Sequence, residues 1–130
     1  MGVKLTIIGC GDAFSSGGRL QSAYLLETGG EALLIDCGAT TLMGLERLGL
    51  KLYNIPRILI SHLHGDHFAG LVICLMHAAL VTRRTTPIDV YGPPGTEART
   101  LAAMEIMYPG MATKLGALKV HYHEIYAGQP

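Results

Sequence analysis

The chain has 130 residues, of which 49% are hydrophobic and only 15% charged, and its ten basic and ten acidic side chains balance. This composition supports one domain with a buried core and gives no overall electrostatic footprint for wrapping nucleic acid. The three cysteines are an odd number without the spacing of a small secreted domain, which argues against a disulfide framework and for a reducing, cytoplasmic location.

The start of the chain, MGVKLTIIGC, lacks the long apolar core and the cleavage site of a secretory signal. The longest nearly apolar run, FAGLVICLMHAALV, has 14 residues, whereas a helix needs ~20 to span a bilayer. We therefore expect this run to be a buried helix and the protein to have no membrane partner.

Short apolar or alternating segments between Gly, Pro and Ser predict strands, and apolar residues three to four positions apart predict helices. In chain order these are strands 3–8, 22–27 and 32–35, helix 41–50, strand 57–60, helix 69–82, strand 87–91, helix 96–107 and strand 118–125. The turn TGGE indicates that the second and third strands form a hairpin. Because strands and helices interleave, the expected class is α/β, a layered mixed sheet with helices packed on it.

The stretch ISHLHGDHFAG holds three of the six histidines of the chain, between an expected strand and an expected helix. His62 and His64 are two positions apart, so an extended backbone points both imidazoles the same way. Gly65 permits a sharp turn, and Asp66 and His67 follow where the helix would begin, so they can face a second metal. Imidazole and carboxylate suit zinc, with manganese or iron as alternatives. We expect a two-metal site that activates a water.

This stretch resembles the H-x-H-x-D-H signature of the metallo-β-lactamase superfamily. LTIIGCGDAFSSGGRLQSAYLLE is similar to the opening strand, Gly-rich loop and arginine of its ribonuclease Z-like branch, LLIDCG to the second motif, and RRTTPIDVYGPPGTEA to the segment after the motif helix. The resemblance covers nearly the whole chain, in order. It implies a single partial domain over residues 1–130, the N-terminal half of an αββα sandwich, with a mixed sheet and helices on one face.

The resemblance also implies roles for individual residues. His62 and His64 would be two of three histidine ligands of a first zinc, and Asp66 and His67 would bind a second. Asp66 would in addition hold the nucleophilic water, which makes it the catalytic candidate. Asp36 would brace the metal loop, because a ligating histidine usually needs an acceptor on its other nitrogen. The alternative for Asp36 is a turn or helix-cap residue.

Other charged side chains have weaker assignments. Arg19, in the Gly-rich loop, is a candidate for binding an anionic substrate. Arg83 and Arg84 are further candidates, although a pair of arginines at a helix end is more often a solvated cap. His77, inside the apolar helix, is expected to be a packed residue rather than a ligand.

In relatives, a third histidine, a bridging aspartate and a last histidine follow the motif in a longer domain. His121 and His123 are the candidates for the third histidine here; the alternative is an ordinary strand with two exposed histidines. We expect the missing ligands to lie beyond Pro130, so that the chain is a truncated half-domain. Its exposed apolar face would then cause homodimerisation or other association.

The function implied by the resemblance is a metal-dependent hydrolase, a ribonuclease Z-like phosphodiesterase that uses a two-zinc-activated water on a small-molecule or RNA phosphodiester. The truncated chain would be weakly active or inactive alone. One alternative is a non-catalytic metal-binding or self-assembling half-domain, and another is a superfamily hydrolase of an ester, sulfate or lactone. GCGDAF and GPPGTE lack the spacing or the lysine of nucleotide-binding loops.

Overall fold

The structure is a computed structural model that describes residues 2–129. Its strands and helices, in chain order, are β1 (Val3–Gly9), β2 (Ala23–Thr28), β3 (Glu31–Ile35), α1 (Thr41–Arg47), β4 (Arg57–Leu59), α2 (Gly65–Phe68), α3 (Gly70–Leu80), β5 (Ile88–Gly92), α4 (Thr96–Met107) and β6 (Val120–Glu124). Short 3-10 turns lie at Ser16–Gly18, Leu52–Asn54 and Met111–Thr113. The predicted alternation of strands and helices is confirmed, with the four-residue α2 as an addition.

All six strands form one mixed sheet in the order β1-β2-β3-β4-β5-β6. The β1–β2 and β2–β3 pairs are antiparallel, and β2 and β3 form the predicted hairpin. Each later pair is parallel, so the chain must return along the sheet through a helical crossover each time. Because such crossovers are right-handed and each one leads to the next strand in line, the helices share one face of the sheet.

The core lies between this face and the helices. Alternate strand residues point into it and are buried, namely Ile8, Leu25, Leu34, Ile58 and Val90. The inner side of α3 supplies the facing layer with Leu71, Cys74, Leu75 and Ala78. Burial of each large aliphatic side chain contributes ~1.5–3 kcal/mol, so this packing fixes which face of each strand turns inward.

The opposite face of the sheet is covered by no helix among residues 2–129. On β1, Val3, Leu5 and Ile7 are 71%, 58% and 57% exposed, and the strand register continues this row of apolar side chains across the sheet. We call this surface the open face and define it by Val3, Leu5, Ile7, Tyr24, Leu26, Leu33, Ile35, Leu59 and Tyr91. The expectation of helices on one face of a mixed sheet is confirmed.

Two helices differ from the predicted bounds. The helix expected over 69–82 ends at Leu80 and is preceded by α2, which forms a separate turn around the metal-ligand candidates. The helix expected over 41–50 ends at Arg47, because Gly49 turns the chain with a φ of 67°, a left-handed conformation that commonly ends helices. No helix within residues 2–129 is both long enough and apolar enough to cross a membrane.

Arg84 is a buried structural residue, so the expectation of a solvated helix cap is wrong. Its side chain is 3% exposed, and its guanidinium donates to the carbonyls of Leu52 and Ile55 at 3.3 and 2.9 Å and to those of Thr86 and Pro87 at 2.9 and 3.1 Å. Burial lowers its pKa from the usual arginine value. Arg84 thus connects the loop before β4 to the loop before β5. Its buried guanidinium is not accessible to a substrate.

Tyr122, on the helix side of β6, has a buried hydroxyl for which the described part of the chain provides no hydrogen-bond partner. Burial, with a smaller effect of the Glu97 carboxylate, raises its pKa to about 12, whereas an unperturbed tyrosine titrates near ~10. The folded state therefore holds this proton more tightly than the unfolded state. Its contribution to stability is fully present below about pH 10 and is lost as the pH rises through about 12.

We expect Tyr122→Phe to keep or raise the free energy of unfolding at neutral pH, because it removes an unpaired buried hydroxyl. The variant should also lose less stability than the wild type on the alkaline side. Urea unfolding at about pH 7 and about pH 11 measures both effects. An alkaline decline as steep as that of the wild type would contradict this role of Tyr122.

Candidate metal centre

The H-x-H-x-D-H stretch leaves the core at the end of β4. Ile58 and Ile60 are 0% and 2% exposed, and the Ile60 N–H donates to the Tyr91 carbonyl on β5 at 2.7 Å. His62 and His64 follow on the surface, and the backbone of His64 is extended, with φ −79° and ψ 146°. The buried strand therefore fixes the point from which the two exposed imidazoles project.

Asp36 connects the end of β3 to this stretch. Its buried carboxylate accepts hydrogen bonds from the N–H and the hydroxyl of Ser61 at 2.8 and 2.9 Å, and it lies 2.7 Å from Nδ1 of His67. The φ of Asp36 is 58°, a left-handed conformation that costs of order 1 kcal/mol or more for a residue with a side chain. The strain coincides with a carboxylate that has three partners, which points to a functional constraint at this position.

Two glycines let the loop after β3 lie against α2 and α3. A Cβ on Gly38 would collide with the carbonyl oxygen of Asp66, and a Cβ on Gly70 would collide with the carbonyl oxygen of Gly38. Two hydrogen bonds fasten the contact, from the Cys37 N–H to the His67 carbonyl at 2.7 Å and from the Gly70 N–H to the Cys37 carbonyl at 2.9 Å. Asp66 and His67 are thereby held next to Asp36.

The predicted ligands form one group of side chains. The ring centroids of His62 and His64 are 4.9 Å apart, and those of His62 and His67 are 4.0 Å apart. Nε2 of His67 lies 3.3 Å from a carboxylate oxygen of Asp66. Because Asp36 occupies Nδ1 of His67, Nε2 is the nitrogen left for a ligand. The structure thus brings together all five residues that the sequence singled out here.

The chemistry of this donor set fits zinc, which takes imidazole nitrogens and carboxylate oxygens as ligands. A carboxylate behind a ligating histidine, as Asp36 is behind His67, is the usual support of such a ligand. Within the described residues, however, three or more His, Cys, Asp or Glu side chains are nowhere arranged to hold a metal ion as they stand. The chain therefore presents ligand candidates in pairs, without a closed coordination shell.

Several known proteins are similar to this chain in sequence and in architecture. A family model described as Anti-Pycsar protein Apyc1 matches residues 3–97. Zinc phosphodiesterase ELAC protein 1 of Bos taurus is 39% identical over 113 residues, which cover 83% of this chain and 31% of that protein. Ribonuclease Z of Clostridium kluyveri is 33% identical over 124 residues, which cover 95% and 40%. Human tRNase Z, short form, superposes with a TM-score of 0.77 at 35% identity, covering 96% of this chain and 47% of that structure.

The chain belongs to the Apyc1 family, in the ribonuclease Z-like branch of the metallo-β-lactamase superfamily. The superfamily and branch expected from the sequence are confirmed, and so is the α/β class. The chain spans 31% and 40% of the length of the two curated relatives and 47% of the human structure.

In this member of the Apyc1 family, Arg19 lies outside the histidine group, in the loop between β1 and β2. Its side chain is exposed, and Nη1 reaches the Ser16 carbonyl at 3.5 Å. Asp12 orders the same loop by accepting bonds from the N–H of Phe14, the N–H of Ser16 and the Ser16 hydroxyl at 3.0, 3.0 and 2.6 Å. These bonds, the one from the Ser16 hydroxyl foremost, hold the pKa of Asp12 below its usual value.

Two site residues were not found by sequence reasoning. Ser61 provides two of the three hydrogen bonds to Asp36. A rule that every buried carboxylate needs donors could have drawn attention to a serine next to the first histidine. Gln21 accepts from the Ala39 N–H at 2.8 Å and donates to the Ala13 carbonyl at 3.2 Å, and no pattern in the sequence indicated this bridge.

The remaining histidines have other partners. His123 Nε2 and His121 Nδ1 lie 2.8 and 3.5 Å from Oδ1 of Asp89 on β5, and the ring of His123 stacks on Tyr91 with centroids 4.6 Å apart. The hydrogen bond from His123 is the main reason why the pKa of Asp89 is lowered. The described contacts of both residues are thus those of exposed strand histidines. His77 lies in α3, half-buried, as the sequence predicted.

Proposed function

We propose that this chain carries part of the metal site of a zinc-dependent phosphodiesterase that acts on RNA or on a smaller phosphodiester in the cytoplasm. The observation that carries the proposal is the arrangement of His67, whose Nδ1 is held by Asp36 while Nε2 faces Asp66. The names of two relatives, zinc phosphodiesterase and ribonuclease Z, support the reaction class and an RNA substrate.

Each ligand pair has a separate task in this proposal. His62 and His64 bind one zinc, and Asp66 and His67 bind the other; manganese or iron are alternative metals. When bound, zinc supplies Lewis acidity toward the phosphodiester and toward a water. Asp66, whose carboxylate lies 3.3 Å from Nε2 of His67, would orient that water. Asp36 fixes the tautomer of His67, because it occupies the other ring nitrogen.

A zinc site that activates water normally has three protein ligands, whereas each pair here supplies two. We infer that the further ligands come from another part of the protein or from a second chain. Arg19 is the candidate in this chain for the anionic substrate, since its guanidinium is exposed and matches phosphate geometry. With no net charge on the chain, substrate binding rests on such local contacts.

Two other functions remain as competing proposals. The chain could be a non-catalytic, metal-binding or self-assembling half-domain, which the incomplete ligand pairs favour. It could also serve a superfamily hydrolase of an ester, sulfate or lactone, because the metal chemistry is the same. Zinc content of the purified chain and hydrolysis of bis(p-nitrophenyl) phosphate separate these functions. Two zinc ions with turnover support the phosphodiesterase. Zinc without turnover supports the half-domain, unless p-nitrophenyl acetate or p-nitrophenyl sulfate is hydrolysed instead, which supports the other hydrolase. Neither zinc nor turnover with added zinc refutes metal chemistry in this chain.

We also propose that the open face mediates association, in the simplest case as a homodimer. Val3, Leu5 and Ile7 expose more than half of their surfaces side by side, which is costly in water and typical of an interface. Leu5→Glu is expected to reduce the mass of the assembly, because it would bury a carboxylate in that contact. Light scattering after size-exclusion chromatography measures this mass.

The matched control for Leu5→Glu is Ile106→Glu, which places the same charge on α4, where Ile106 is 82% exposed. This variant should associate like the wild type. A wild-type chain that is monomeric at high micromolar concentration, or equal dissociation of both variants, would refute the open face as an interface.

A further inference from the structure

Two cysteines face each other in the core, outside the group of metal-ligand candidates. Cys37 and Cys74 are 0% and 1% exposed, and their Sγ atoms are 3.7 Å apart, with the Cys37 thiol donating to Cys74. Both are free thiols, as is the exposed Cys10. Free cysteines often fill cores as small apolar residues, so burial alone decides nothing. What distinguishes this pair is the direct contact between its two sulfur atoms.

The backbone next to the pair already holds the two segments together. The carbonyl of Cys37 accepts from the N–H of Gly70, the first residue of α3, at 2.9 Å. Cys74 follows Gly70 by about one helical turn, so both residues lie on the same side of α3. Cys37 thus contacts this side of the helix twice, through its carbonyl and through its sulfur. A bond between the sulfurs would join two segments that are already in contact.

The sulfur atoms lie close to the separation of a disulfide. An S–S bond is ~2.05 Å long, so the two atoms together have to approach by about 1.7 Å. A modest rotation about each Cα–Cβ bond produces a movement of this size. The two cysteines are 37 positions apart in sequence, so their bond would close a long loop and lower the entropy of the unfolded chain.

We propose that Cys37 and Cys74 form a reversible disulfide when the chain meets a peroxide, and that this bond clamps the loop after β3 to α3. The clamp lies next to the metal centre, because Cys37 follows Asp36 and its N–H donates to the His67 carbonyl at 2.7 Å. The oxidised chain would therefore hold Asp36 beside His67 more firmly. This modification needs neither zinc nor turnover, so it does not rest on the proposed phosphodiesterase function.

The reaction uses one peroxide for each disulfide. One thiol attacks the O–O bond of the peroxide, which gives a sulfenic acid and the first water. The other sulfur then attacks the sulfenic sulfur, so that the S–S bond forms, the S–O bond breaks and the hydroxyl leaves with the remaining thiol proton as the second water. The two sulfurs lose two electrons in all, and the peroxide gains them. Dithiothreitol reverses the bond by thiol–disulfide exchange.

The reaction should be slow at neutral pH. The hydrogen bond with Cys37 and burial raise the pKa of the Cys74 thiol, and the thiolate is the reactive form of cysteine. The buried pair is thereby kept reduced under ordinary cytosolic conditions, in which disulfides are rare. The bond should form only under sustained exposure to peroxide.

The test uses Cys10→Ser, because the exposed Cys10 thiol would otherwise link two chains. After hours in dilute hydrogen peroxide, iodoacetamide in urea should alkylate neither Cys37 nor Cys74. Digestion without reductant should give one pair of peptides joined through these two residues, and after dithiothreitol both thiols should be alkylated. Free thiols after peroxide, or separate oxidation of either sulfur to sulfinic acid, would overturn the proposal.

Thermal unfolding of the oxidised variant before and after dithiothreitol measures the clamp. The unfolding midpoint should be higher by roughly 5 °C or more while the bond is intact. Dithiothreitol does not repair methionine sulfoxide, so oxidation of the six methionines affects both samples equally. The matched control combines Cys10→Ser with Cys74→Ala and should show no difference on adding dithiothreitol. An unchanged or lower midpoint in the oxidised Cys10→Ser chain would overturn the proposal.

Discussion

His64→Ala should lower the affinity of the chain for its first zinc by at least about 100-fold, more than the ~10–100-fold typical of losing a residue that only supports a ligand. His64 is one of the two ligands that the chain offers to this ion. Its ring is exposed and contacts His62 edge-on, so removing it leaves no cavity in the core. The free energy of unfolding without metal should stay within about 0.5 kcal/mol of the wild type.

Competition with a chromophoric zinc chelator measures this affinity, and thermal unfolding followed by circular dichroism measures the stability. His121→Ala is a matched control, because His121 is also an exposed histidine of the sheet but contacts Asp89 instead of the histidine group. It should bind zinc like the wild type. Wild-type zinc affinity in His64→Ala, or an equal loss in both variants, would remove His64 from the metal centre.

Asp36→Ala is expected to have the largest effect on stability, a loss of about 3 kcal/mol or more. The substitution removes the acceptor of the Ser61 N–H and hydroxyl, and it deprives His67 of its partner. It also keeps an alanine in a left-handed conformation, with φ 58°. Stability of a domain this size is commonly ~5–15 kcal/mol, so a large share would be lost.

Asp36→Asn distinguishes the effect of the left-handed backbone from the effect of the carboxylate charge. Asparagine tolerates the left-handed conformation and can still accept from Ser61, so its loss of stability should be clearly smaller than that of alanine. Zinc affinity should nevertheless fall by ~10–100-fold, because the support of His67 is weakened. Urea unfolding and zinc competition measure the two effects. The control is Asp89→Ala, because Asp89 is a half-buried aspartate beside two exposed histidines, and it should cost no more than ~1 kcal/mol. A loss of stability in Asp89→Ala as large as that in Asp36→Ala would contradict this structural role of Asp36.

Where the chemistry is local, the sequence predicted the candidate site well. The spacing of His62, His64, Asp66 and His67 already brings them close together along the chain, because an extended segment runs straight into a helical turn. Asp36 is far away in sequence. The resemblance to a family implied that it braces the metal loop, and the structure identifies His67 and Ser61 as its partners. The strand and helix order followed from periodicity, since each element buries one face.

The sequence was insufficient where the structure depends on distant backbone. Arg84 looked like a solvated cap, because nothing local shows that the carbonyls of Leu52 and Ile55 converge on its guanidinium. The bridge made by Gln21 has the same origin, since its partners Ala13 and Ala39 meet only after the sheet has formed. Both residues illustrate that a hydrogen-bonding side chain can be assigned from sequence only when its partners are close along the chain.

The order of the strands in the sheet has a consequence for how the molecule assembles during synthesis. Every strand pairs with the strand that immediately precedes it in the chain, so each newly made segment finds its docking edge already present. The β1–β2–β3 meander, with Asp36 at its end, can form before the histidine stretch leaves the ribosome. We expect Asp36 to lie at the edge of an already formed β1–β2–β3 sheet when His67 is synthesised. The Asp36 carboxylate would then orient the His67 ring during folding, before a metal binds.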